Sequence, residues 1–97
     1  MFIGVMQVEL RIPDSGSLKS KRHVVKSLTG GIHAKFNAAV AEVDHQEQWQ
    51  RSSIGVSVIS SSAFHAERML REIEGFMEHN ERVELLDAFV DVRPWED

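Results

Sequence analysis

Residues 38–60 read AAVAEVDHQEQWQRSSIGVSVIS, and their reading decides the fold. Residues 38–46 (AAVAEVDHQ) and 53–60 (SIGVSVIS) carry the β-branched, alternating character of strands. The polar stretch around Glu47–Arg51 joins them as a hairpin. Two strands in the middle of the chain then need partners from outside.

The flanks supply them. Residues 2–12, FIGVMQVELRI, alternate strictly: Phe2, Met6, Val8, Leu10 and Ile12 share one side, and Gln7, Glu9 and Arg11 share the other. Pro13, Asp14 and Gly16 stop this strand. Ser17 caps a helix beginning at Leu18. At about 100° per residue, Leu18, Val25, Leu28, Ile32 and Phe36 fall in one arc. Lys19, Arg22, His23, Lys26 and His33 fall in the opposite one. Gly30-Gly31 weakens the middle of this helix by roughly 1 kcal/mol per glycine, yet the period continues through Phe36. Lys21 falls inside the apolar arc, so it is expected to snorkel or to point past the sheet edge.

After the hairpin, Ser60, Ser61 and Ser62 are cap candidates for a helix over 63–79. Ala66, Met69, Leu70, Ile73, Phe76 and Met77 form its apolar face. Residues 82–92, RVELLDAFVDV, form a last strand, which Pro94 ends. The order is βαββαβ, without linker, repeat or low-complexity segment. Right-handed crossovers then give one ferredoxin-like α+β domain over 1–97, a four-stranded antiparallel sheet with both helices on one face.

Composition narrows the function. The 97 residues contain no cysteine, which removes disulfides, thiolate nucleophiles and cysteine-ligated metals together. No signal peptide or membrane-length apolar run is visible, so a soluble cytoplasmic protein is expected, with no membrane partner. The net charge of −4 argues against indiscriminate nucleic-acid binding. That charge is uneven: residues 1–55 carry seven Lys/Arg and five Asp/Glu, and residues 56–97 carry four and ten.

Three blocks, SLKSKRHVVKSL (17–28), FNAAVAEVDHQEQWQRSSIGVSVIS (36–60) and VELLD (83–87), closely resemble the YlxP-like family of small bacterial proteins, whose function is unknown. The resemblance runs through nearly the whole chain and implies a ferredoxin-like fold. It also implies a genetic setting among transcription-termination and translation-initiation factors, which suggests RNA or the ribosome. It supplies no catalytic residues.

Candidate sites divide into three. At the start of the first helix, Lys19, Lys21 and Arg22 stand where the helix dipole favours anions. With His23 and Lys26 they make either a solvated basic face or a grip for phosphate. At the hairpin, Trp49 either closes the core edge or stacks on a base, with Arg51 holding phosphate. On the open sheet face, Glu42 and Asp44 are expected to join Gln7 and Glu9. That placement separates His45 from both carboxylates and leaves Glu9, Glu42 and Asp44 a hard-cation site without supporting spacing.

No RNP1-like pattern, phosphate-cradling glycine loop, zinc-type histidine spacing or serine–histidine–aspartate set is present. We therefore expect no catalytic residues, no metal and no cofactor. The leading expectation is a non-enzymatic RNA- or ribosome-associated protein that binds through Lys19, Lys21, Arg22, His23, Lys26, Trp49 and Arg51. The alternatives are a protein-interaction or homodimerisation module using the open sheet face, and a small enzyme with carboxylates on that face.

Overall fold

The computed structural model describes residues 1–96. Its elements follow in the order β1 (Phe2–Arg11), α1 (Leu18–Lys35), β2 (Ala39–Asp44), β3 (Arg51–Ser60), α2 (Ala63–Glu78) and β4 (Glu84–Pro94). The sheet is antiparallel throughout, with strand order β2-β3-β1-β4. This is the ferredoxin-like α+β sandwich. The first strand of the chain is therefore central, and it pairs with β3 on one side and β4 on the other.

The alternation in β1 determines where the core forms. Met6, Val8 and Leu10 are buried with Ile12, and they meet Ile54, Val56 and Val58 of β3. Val24, Val25, Leu28 and Ile32 from α1 cover them, together with Ala66, Leu70, Ile73 and Met77 from α2. Both helices thus share one core on one side of the sheet. Where α2 crosses β1 the approach is close. A Cβ on Gly4 would stand 2.9 Å from Leu70 Cδ1 and 3.1 Å from Val58 Cγ2, so only glycine fits without movement.

Helix α1 runs unbroken through Gly30-Gly31. Ser17 caps it by accepting from Ser20 N. Its C-terminal end is held by packing: Phe36 and Phe76 meet edge to face at 5.8 Å, and Lys35 lies over both rings. A cation in that last turn also complements the helix dipole. Among the described residues, no helix is long and apolar enough to cross a membrane.

Strand β2 is shorter than the alternation suggests, because its register against β3 shifts between Glu42 and Asp44. The register before that shift overturns the expected position of Glu42. Glu42 lies opposite Ile54, a fully buried core residue, and so faces the helices rather than the open side. Glu9 remains on the open side, where its carboxylate accepts from Ser53 Oγ. Glu9 and Glu42 therefore lie on opposite faces of the sheet and cannot share a cation.

Candidate functional site

The stretch around Glu42–Arg51 is a braced turn. Lys21, from the first turn of α1, is fully buried and reaches across to it. Its Nζ lies 2.7 Å from Glu42 Oε2. It donates to His45 O at 2.7 Å and to Gln46 O at 3.4 Å. An ammonium has three N–H groups, and here all three are used. Ser52 Oγ donates to the same Glu42 oxygen at 2.6 Å. The cluster is buried, electrically balanced and hydrogen-bonded, which such groups require in a low-dielectric interior. Lys21 neither snorkels nor points past the edge, and no ligand can touch its ammonium in this arrangement.

The remainder of the turn is fixed from the other side. His45 takes a positive φ of 63°, a left-handed conformation in which histidine is enriched. Asp44 Oδ1 accepts from His45 N at 2.7 Å. Gln48 N donates to His45 O at 3.0 Å, and the Gln48 side chain meets His45 Nδ1 at 3.0 Å. Gln50 then ties the turn to the loop after β1. Its Nε2 donates to Pro13 O and Ser15 O, each at 3.3 Å, and its carbonyl accepts from Ile12 N at 2.9 Å. The turn, the 12–17 loop and the start of α1 form one connected block.

Trp49 stands on this block and is 54 % exposed. It does not close the core edge. On α1, Lys19, Arg22, His23 and Lys26 are all exposed. They recur at helical spacing, so they form one ridge with about 10 Å of rise. No acidic residue occurs in α1, whereas α2 carries Glu67, Glu72, Glu74 and Glu78. Helix α2 also carries Arg68 and Arg71, paired with Glu72 and Glu74, so much of the acidic excess of the second half lies beyond it, in Glu81, Glu84, Asp87 and Asp91.

Arg51 parts from this group. It opens β3 in register with Arg11, and alternation puts it on the open side with Ser53, opposite Lys21. It is half-buried, and its Nε is buried with no hydrogen-bond partner among the described residues. Of the seven expected contact residues, Lys19, Arg22, His23 and Lys26 are exposed along α1 and Trp49 is exposed on the turn. The structure removes Lys21 to the interior and Arg51 to the other face.

The open face also carries apolar side chains. Val5, Val43, Ile59 and Phe89 project there, each about half or more exposed. The signal was present in SIGVSVIS: Ile54 and Ile59 differ in parity, so one of them must face outward. Among the described residues, no group of three His, Cys, Asp or Glu is arranged to hold a metal ion.

Comparison with known proteins gives a family and adds no activity. Residues 3–90 match the family model described as a protein of unknown function (DUF503). The uncharacterized protein YlxP of Bacillus subtilis (strain 168) is 37 % identical over 82 residues, which cover 84 % of this chain and 89 % of that protein. With a family match over most of its length and a relative at this identity, the chain belongs to the DUF503 family.

Proposed function

We propose that the chain is a non-enzymatic accessory protein that binds single-stranded RNA, ribosomal RNA included, at the end of the molecule where α1 begins. One observation carries the reading: an exposed tryptophan sits on a turn braced against the start of a helix that has four exposed basic side chains and no acid. A base stacks on an aromatic face whatever its identity, and cations alongside hold the backbone. Preorganisation lowers the ordering cost of binding, and the Lys21 and Gln50 tethers supply it. The enzymatic alternative loses Glu42, which faces the helices, and keeps only Glu9 and Asp44 on the open side.

The test is titration with single-stranded ribosomal RNA fragments at several salt concentrations, with thermal unfolding followed alongside. The double variant Lys19→Ala with Arg22→Ala weakens binding, and the slope of log affinity against log salt falls by roughly 0.7 per lost phosphate contact. Trp49→Ala costs about 1–3 kcal/mol of binding and leaves the unfolding midpoint in place. Wild-type affinity no higher than that of an unrelated acidic protein of similar charge overturns the proposal.

A further inference from the structure

The open sheet face is the largest surface that the RNA reading leaves unused. Its side chains form rows across the strands. Ala41, Gly55, Gln7 and Phe89 lie in one row, and Ala39, Ser57, Val5 and Asp91 in the next. On the β2–β3 half the residues are small, leaving a shallow groove of about 300 Å³ lined by Val5, Ala39, Ala41, Val43, Gly55 and Ser57. On the β4 half, Phe89 projects and is 63 % exposed. One face therefore carries both a knob and a groove, two strands apart, or about 10 Å.

We infer that this face binds a second copy of the chain, about a two-fold axis running along β1 over Gln7. Such an axis exchanges the β3 and β4 sides, so Phe89 of each copy enters the groove beside Gly55 of the other. Isologous interfaces require this self-complementarity. The axis passes over Val5, Gln7, Glu9 and Arg11, which each face their own copy. The Gln7 amides meet as donor and acceptor, while Glu9 is held to one side by Ser53 and Arg11 by Glu84.

Charge gives an independent argument. Arg51, Arg11 and Glu84 share a row at one end of the face. Arg11 already pairs with Glu84 at 3.2 Å, while Arg51 Nε has no partner among the described residues. Nε itself is out of a partner's reach, but the same axis brings Glu84 of each copy over the exposed part of the half-buried Arg51 side chain of the other. Four strands at about 4.8 Å spacing and about 25 Å of strand length give on the order of 500 Å² per copy. That is at the small end for a specific interface and fits a reversible dimer of micromolar affinity. Both helices, and with them the basic ridge, stay on the outside.

Sedimentation equilibrium across micromolar to millimolar protein tests this. The expected result is a monomer–dimer equilibrium that Phe89→Ser weakens at least about tenfold with an unchanged circular dichroism spectrum. Arg51→Glu alone and Glu84→Arg alone each weaken the dimer, and the two together restore it in part. A wild-type monomer at every concentration overturns the proposal and assigns the face to an unlike protein. A dimer indifferent to Phe89→Ser overturns it as well, because the contact then lies elsewhere.

Discussion

Lys21 shows how much one side chain can hold. Its ammonium joins α1 to Glu42 of β2 and to two carbonyls of the following turn. Removing one member of a buried pair leaves an uncompensated charge, which costs several kcal/mol. Lys21→Met should therefore lower unfolding free energy by about 3 kcal/mol, read from urea unfolding. Combining Lys21→Met with Glu42→Leu should recover much of that loss, since the pair replaced by apolar groups no longer leaves a stranded charge. The oddity of Lys21 was legible in the sequence, because a lysine in the apolar arc needs a reason. Its partner was not legible. Which face Glu42 takes depends on the β2–β3 register, and the shift beside it breaks the alternation that ties Glu42 to Asp44. Trp49 was ambiguous for a related reason: exposure at a hairpin tip depends on what lies beneath, and there Gln50 and Lys21 occupy the space.

At the scale of elements, α1 tests how local preference and packing divide. Adjacent glycines sit in its middle, and the helix passes through both. A methyl group added at Gly30 meets nothing within 4 Å. Gly30→Ala should thus stabilise the protein by roughly 1 kcal/mol, through lower backbone entropy in the unfolded chain, measured as a raised denaturation midpoint with unchanged slope. At Gly31 the same methyl would lie 2.9 Å from Phe76 Cζ, so the ring must move and the gain shrinks or reverses. The order and type of all six elements were legible, because period-two and helical spacing are local properties. The ends of β2 were not: its last expected residues belong to the turn that Lys21 holds. Gln7 and Glu9 mark the polar part of the open face along β1, whereas its apolar members Val43, Ile59 and Phe89 come from strands whose neighbours only the topology defines.

For the whole molecule, α1 presents a basic surface without acids and α2 a mixed one, and a partly apolar face lies on the other side of the sheet. If two copies associate through that face only when folded, mass action raises the unfolding temperature with protein concentration. Wild-type protein should show this rise between micromolar and millimolar concentration in scanning calorimetry, and the Phe89→Ser variant should show almost none.

The central place of β1 has a consequence for synthesis. Its residues 2–11 are synthesised well before their partners, residues 51–60 and 84–94. At about 5–20 residues per second the strand waits roughly 4 to 15 s for its last neighbour. Throughout that interval Met6, Val8, Leu10 and Ile12 have no finished core to enter. The growing polypeptide should stay sensitive to protease until β4 is made, then become resistant in one step, as pulse proteolysis of chains arrested before and after residue 94 would reveal. Such delayed closure also favours slow folding, since non-local pairing must bear its loop-closure entropy before any contact offsets it.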